Sequence, residues 1–130
     1  MHPVIRFQSR LFDLSRERLN PINPIPGISL LEWLRERVPA SLSLSEPAAE
    51  DWGWYSDARI ANRGYLVGAC AHESPDGNHE WVLQIDKYRS FREKLLGQEK
   101  MTGDDPCLAL IHALVLQEPE FTNVSVEGGS

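Results

Sequence analysis

The feature that most constrains the fold is the stretch from Trp52 to Asp86, where apolar and polar side chains alternate along three consecutive segments. Alternation with a period of two indicates β-strands that are buried on one face only. Residues 62–64 and 74–78 are rich in turn-forming types and separate the segments. The stretch therefore predicts three antiparallel strands with one apolar face and one mixed face. The apolar face is expected to consist of Trp54, Ser56, Ala58, Ile60, Tyr65, Val67, Ala69, Ala71, Trp81, Leu83 and Ile85.

The lengths of the two turns predict which residues of neighbouring strands lie opposite each other. With Asn62 and Arg63 as the two central residues of the first turn, Trp54 lies opposite Ala71. The five-residue second loop places Ala71 opposite Trp81. We therefore expect these three residues to form one row across the sheet, in which a small side chain separates two large ones beneath a helix.

The N-terminal region predicts one strand and an irregular connection. Val4 to Asp13 alternates in the same way, and the arginines on its polar side indicate an edge strand or a solvated face. Residues 15–28 contain three prolines within six positions, which exclude a helix and a central strand there. The connection has enough apolar side chains to lie against the body of the protein.

The next segment predicts a helix with clear boundary signals. Ser29 as the N-cap and Glu32 three residues later have the spacing of a capping box. Ile28 and Trp33 have the spacing of the hydrophobic staple that accompanies it. Pro39 ends the helix, because proline cannot continue it.

The rest of the chain predicts shorter strands and two more helices. Together with the elements above, it indicates one domain over residues 1–130 of α+β class, with a mainly antiparallel sheet of four to six strands and two or three helices packed mostly on one face. The further elements are a short strand over Ser41–Ser45, a loop over 47–51, a helix opened by the capping box of Ser90 and Glu93, a mostly apolar helix over Cys107–Leu116 that follows Asp104, Asp105 and Pro106, a strand over Phe121–Glu127, and a flexible tail at 128–130.

The charge distribution indicates which classes of macromolecule the protein is expected to bind. The formal net charge is −6, and no lysine or arginine occurs between residues 38 and 58 or after Lys100. Such a surface repels phosphate backbones, so nucleic-acid binding is disfavoured and a basic protein partner is favoured. No apolar run approaches the roughly 18 residues that span a bilayer, and the N-terminus lacks the order of a secretory signal. We expect a cytoplasmic protein without membrane association.

The sequence shows no motif that indicates catalysis, metal binding or cofactor binding. Cys70 and Cys107 are too few for a disulfide framework. The sequence contains no nucleophile elbow, no glycine-rich phosphate loop and no established metal-ligand spacing. Composition and motifs therefore predict no catalytic residue, no metal site and no cofactor.

The leading hypothesis for function is a non-enzymatic protein-binding or inhibitor module. Its surface would combine exposed aromatic side chains with acidic ones, a composition typical of interface hot spots. Small acidic α+β chains are often binding proteins, of which immunity proteins are one kind, and this comparison is made at the level of class only. The alternative is that another element covers these side chains. The residues of this surface are Glu50, Asp51, Trp52, Tyr55 and Asp57.

Two other hypotheses remain open. A small enzyme or a metal- or ligand-binding protein would use Cys70, His72, His79 and Glu80, which flank the second loop. Against an activated thiol, side chains two apart on a strand are roughly 6 to 7 Å apart, which exceeds a hydrogen bond. We expect His72 and Glu80 to be a cross-strand pair. The third hypothesis is a self-associating subunit whose mixed sheet face forms a homodimer interface.

Overall fold

The computed structural model describes residues 3–128, so the last two residues of the predicted tail lie outside the described part. The predicted α+β class with an antiparallel sheet is confirmed, although seven strands exceed the expected four to six. A single 3-10 turn at Leu14–Arg16 follows the first strand. The strands are β1 (Val4–Ser9), β2 (Leu42–Leu44), β3 (Ala48–Glu50), β4 (Gly53–Ile60), β5 (Arg63–His72), β6 (His79–Lys87) and β7 (Thr122–Glu127). The helices are α1 (Ile28–Arg37), α2 (Phe91–Leu95) and α3 (Pro106–Gln117).

The strand order is β2-β4-β5-β6-β1-β7, and β3 also pairs with β4. Of the two alternatives predicted for the first strand, the edge position is not the one observed, because β1 lies between β6 and β7. Its polar side is nevertheless solvated. Arg6 projects away from the core and forms ion pairs with Glu80 at 3.5 Å and with Glu127 at 3.3 Å. An arginine-bearing strand is therefore compatible with the interior of a sheet when one face of that sheet is open.

The first hairpin turn differs from the prediction by one position. Ala61 and Asn62 are the central residues, with φ of 51° and 62°, and Ile60 pairs with Arg63. Positive φ at both positions is the type I′ geometry that matches the twist of a two-residue hairpin. The sequence favoured Asn62 and Arg63 because the stretch Asn62-Arg63-Gly64 contains residues that tolerate positive φ. The pairing of β4 with β5 places Ala61 and Asn62 in the turn in spite of this local preference.

As a result, the predicted row of Trp54, Ala71 and Trp81 is wrong in part. Trp54 lies opposite Ala69, whereas Ala71 lies opposite Trp81 as expected. The register shifts by two residues, and an even shift leaves every side chain on its predicted face. The row that contains Trp81 continues to Phe7 of β1.

The start of α1 also corrects the sequence prediction. The N-cap is Gly27, which has no side chain to cap the helix, and Ser29 lies inside the first turn. The carboxylate of Glu17 replaces the predicted capping box, accepting hydrogen bonds from the N–H groups of Gly27 at 2.9 Å and Ser29 at 3.0 Å. A Cβ at Gly27 would lie 2.5 Å from the carbonyl oxygen of Ala69. The close approach of the helix start to β5 therefore requires glycine.

The segment predicted as a loop at 47–51 contains strand β3 instead. Ala48 pairs with Tyr55, and Glu50 pairs with Gly53. The predicted strand over Ser41–Ser45 is present as β2, which pairs with the second half of β4. Two short strands thus share one long neighbour. The prediction missed β3 because Ala48, Ala49 and Glu50 do not alternate between apolar and polar, unlike the Leu42–Leu44 segment of β2.

The two remaining helices begin as predicted. Ser90 and Glu93 form the capping box of α2, and Asp105 caps α3 with Pro106 in the first turn. Although α3 is mostly apolar, only one side of it is buried, where four of its residues lie in the core. No helix in the described residues is long and apolar enough to cross a membrane.

The core lies between the apolar sheet face and the helices α1 and α3. Trp54 and Trp81 are its largest fully buried side chains. An aromatic cluster joins β1 to the segment before β7: Phe121 stacks on Phe7 with ring centroids 4.3 Å apart, and Trp33 of α1 lies 4.9 Å from Phe121. Packing of this kind fixes both terminal strands on the sheet.

Candidate functional site

The sheet face opposite the core is called here the mixed face. The buried side chains of α1 and α3 all belong to the core, so among the described residues these helices do not cover the mixed face. Its side chains are half-buried or exposed, apart from the glycine at its centre. Its central residues are Val4, Arg6, Tyr55, Asp57, Leu66, Gly68, Cys70, His72, Glu80, Val82, Gln84 and Asp86.

Trp52 lies on the mixed face, although sequence alternation assigns it to the same face as Trp54. A Cβ added to Gly68 would lie 2.5 Å from Cη2 of Trp52, so the indole ring rests directly on this glycine. The reason is the hairpin between β3 and β4, in which residues 51 and 52 form the turn and Gly53 has a φ of +149°. A turn residue does not follow strand alternation. The sheet therefore presents a half-buried tryptophan on its open side.

An open pocket of about 650 Å³ lies beside this tryptophan and is called here the Trp52 pocket. It brings together Trp52 from the first predicted surface with Cys70 and His72 from the alternative one. The sequence had assigned these residues to two alternative sites. The pocket is lined by Pro24, Ile25, Pro26, Trp52, Cys70, Ala71, His72 and Glu73.

The proline-rich connection forms one wall of the Trp52 pocket and is tied to the sheet. The N–H of Ala71 donates to the carbonyl oxygen of Pro26 at 2.9 Å, at the end of β5 beyond its pairing with β4. The side-chain amide of Asn20 donates to the carbonyl oxygens of Glu50 at 2.9 Å and Gly53 at 2.7 Å. Sequence analysis missed Asn20, which is buried, because a single asparagine in a loop carries no signal of its partners.

A second asparagine completes this support. The side-chain amide of Asn23 donates to the carbonyl oxygen of Asp51 at 2.8 Å. Both asparagines therefore bind backbone carbonyls on the turn that carries Trp52. Loops are held in one conformation when side chains satisfy their backbone groups in this way. These hydrogen bonds hold the turn that carries Trp52 in one conformation before any partner binds.

The acidic residues of the first predicted surface lie in two places. Glu50 and Asp51 flank Trp52 at the turn, whereas Asp57 lies farther along β4. Asp57 accepts a hydrogen bond of 2.7 Å from the hydroxyl of Tyr88. Partial burial, and after it this hydrogen bond, raises the pKa of Tyr88 to about 12. Tyr55 lies opposite Gly68, the glycine on which the ring of Trp52 rests.

The alternative set does not come together as one site. His72 lies opposite Glu80 as predicted, and both are on the mixed face. His79 lies opposite Ser9, whose side chain is on the core side, and its Nδ1 accepts a hydrogen bond of 2.9 Å from the N–H of Ser74. This histidine therefore stabilises the loop between β5 and β6. Within residues 3–128 no group of three His, Cys, Asp or Glu residues has the arrangement of a metal site.

The thiol of Cys70 is not in an activating environment. Burial, which is the largest effect, raises its pKa above the ordinary value, and the positive charge of Arg6 offsets this only in part. A raised pKa lowers the fraction of thiolate at neutral pH, and the thiolate is the nucleophilic form. The environment of Cys70 thus resembles that of a packing residue more than that of a nucleophile.

A buried polar group on the core side escaped sequence analysis. The hydroxyl of Tyr65 donates to Oδ2 of Asp105 at 3.0 Å, and Nζ of Lys87 lies 3.3 Å from the same oxygen. Oδ1 of Asp105 accepts from the N–H groups of Cys107 and Leu108. Burial and the hydrogen bond to Asp105 raise the pKa of Tyr65. Because its carboxylate is fully engaged, we interpret this group as the attachment of α3 to the sheet.

Comparison with known proteins suggests no candidate function. No protein-family model matches the chain, and neither the curated proteins nor the solved structures contain a match. The mixed face and the Trp52 pocket therefore carry the functional inference.

Proposed function

We propose that this protein is a non-enzymatic binding module that receives an apolar side chain of a basic partner protein in the Trp52 pocket. The observation that carries the proposal is the position of Trp52, half-buried on the open sheet face with its ring resting on Gly68. Tryptophan is enriched among the residues that dominate binding energy at interfaces. A tryptophan that is already fixed loses little side-chain entropy when a partner covers it.

The lining of the pocket favours an apolar guest. Pro24, Ile25, Pro26 and Ala71 contribute apolar surface next to the indole ring of Trp52. A volume of about 650 Å³ is within the range of sites that hold small ligands or anchoring side chains. Because the pocket is open at the surface, a side chain that projects from a partner can enter it without any rearrangement of the sheet.

The charges around the pocket favour a basic partner. Glu73 lines the pocket, and Glu50 and Asp51 lie on the turn next to Trp52. No lysine or arginine is among the lining residues of the described pocket. An acidic rim speeds association with a positively charged surface and opposes negatively charged competitors. Binding is therefore expected to weaken as the salt concentration rises.

The test is a pull-down from lysate of the native host with three tagged proteins: wild type, Trp52→Ala and Leu95→Ala. Leu95 is the matched control, because it is 73% exposed on α2 and does not line the pocket. We expect wild type and Leu95→Ala to retain the same basic protein in stoichiometric amount. Trp52→Ala is expected to retain at least about 10-fold less, as loss of a hot-spot residue predicts.

Two outcomes would contradict the proposal. One is equal retention of the partner by wild type and Trp52→Ala. The other is retention of no specific protein by wild type at low salt. Circular dichroism of each variant shows whether a loss of binding reflects the pocket or a loss of fold.

A further inference from the structure

Helix α3 has a mostly apolar outer side that no other element of residues 3–128 covers. The helix contains no charged residue, although a quarter of the chain is charged. Its outward line is Ala109, Ala113 and Leu116, which are all exposed and are spaced four and three residues apart. Leu116 is 57% exposed, and Leu110 and Leu114 are half-buried beside this line. A surface helix ordinarily carries charged residues on the side away from the core.

This helix lies next to an open edge of the sheet. Asp105 at its start binds Tyr65 and Lys87 of β5 and β6, and the segment after its end stacks on β1 through Phe121. The chain from the start of α3 to Phe121 therefore runs across the core face from β5 and β6 to β1, the strand next to β7. Among the described strands, β7 pairs with β1 alone. Val126 of β7 is 38% exposed, whereas its partner Ile5 on β1 is fully buried.

We propose that this surface, the outer side of α3 with the free edge of β7, is the interface of a symmetric dimer of this protein. Electrostatics favours a second copy of the chain as the occupant of this surface. Each copy carries a formal charge of −6, so two copies repel each other over most of their surfaces. The outer side of α3 is a surface of one copy that meets its own equivalent without opposing like charges.

The shapes also fit a two-fold arrangement. In a symmetric dimer the same patch lies on both sides of the interface, so an uncharged apolar surface is complementary to itself. Ala109 and Ala113 allow the two helices to approach closely. Leu110 and Leu114 lie on one flank of this line, and the half-buried His112 lies on the other. This interface differs from the mixed face, which stays free for the partner proposed above.

The small area of the outer side of α3 indicates that β7 also contributes to the proposed dimer interface. A helix of 12 residues is about 18 Å long, and one face of it is smaller than the roughly 800 Å² that each partner buries in a stable complex. Pairing of β7 with its equivalent adds backbone hydrogen bonds and covers Val126. The sheets of the two copies would then be continuous across the two-fold axis.

The test is analytical ultracentrifugation of wild type, Leu116→Glu, Ala113→Glu and Leu95→Glu over an about 100-fold concentration range. We expect wild type and the α2 control Leu95→Glu to be dimers. Each α3 variant is expected to raise the dimer dissociation constant by at least about 30-fold, because the symmetric interface contains the new charge twice. Both substituted positions are exposed, so the monomers should keep the wild-type circular dichroism spectrum.

Hydrogen exchange tests the contribution of β7. Amides of β7 should exchange more slowly in wild type than in Leu116→Glu at equal protein concentration, because only the dimer pairs that edge. A monomeric wild type would overturn the proposal, and the surface would then belong to a different protein. A dimer that survives both α3 variants, or one that is lost with Trp52→Ala but kept with Leu116→Glu, would also overturn it. Equal exchange of β7 in wild type and Leu116→Glu would refute the pairing of the edges.

Discussion

Two tryptophans separated by one glycine lie on opposite faces of the same sheet. Trp54 is 1% exposed and belongs to the core, whereas Trp52 is half-buried beside an open pocket. The core face is covered by α1 and α3, while the mixed face carries aromatic, charged and small residues side by side. The comparison shows that the backbone at a single turn directs two tryptophans of one hairpin to opposite faces, one into the core and the other to the open side.

The largest expected effect separates the two tryptophans directly. Trp54→Ala should lower the free energy of unfolding by about 3–5 kcal/mol, because it leaves a cavity in the core. Trp52→Ala should lower it by no more than about 1 kcal/mol, since the ring rests on one face of the sheet only. Urea denaturation of both variants measures the difference. Equal destabilisation would mean that Trp52 is a structural residue.

A smaller effect is expected at Gly68, which supports the ring of Trp52. In Gly68→Ala the added methyl group would lie 2.5 Å from Cη2 of Trp52, so the indole ring must move. We expect partner binding to weaken while the core tryptophans keep their environment, with a loss of stability of about 1 kcal/mol or less. Tryptophan fluorescence of Gly68→Ala in the background of Trp52→Phe reports the core alone. A change in that spectrum would show that the substitution disturbs more than the mixed face.

The smallest effect distinguishes the two thiols. Cys70 lies on the mixed face and Cys107 in the core, and burial raises the pKa of both, that of Cys107 to about 12. Because a raised pKa reduces the thiolate at neutral pH, Cys70 should react more slowly than a free thiol, and its rate should still rise with pH above neutrality. Cys107 should react only after unfolding. Timed alkylation with mass spectrometry measures both, and fast reaction of Cys70 at pH 7 would favour the enzymatic hypothesis.

The sequence predicted the faces of the sheet better than the contacts that hold the site. Alternation from Trp54 to Ile85 placed the core residues of three strands correctly, because burial of one face is a property that each strand shows by itself. The cap of α1 by Glu17 was not predictable, since it joins segments that are distant in sequence. The hydrogen bonds from Asn20 and Asn23 to the turn of Trp52 were not predictable either, since they also join segments that are distant in sequence. Alternation could not assign Trp52 to a face, because this residue lies in a turn.

The position of β1 has a consequence for the order of folding. Its two neighbours are β6 and β7, so Val4 lies opposite Gln84 on one side and Glu127 on the other. During synthesis the first strand must therefore wait for most of the chain, and for its last strand, before its backbone groups are paired. Pairings between such distant segments slow folding, and they leave apolar side chains such as Ile5 and Phe7 accessible to chaperones in the meantime. Emergence of β7 from the ribosome is then the event that allows β1 to pair on both sides.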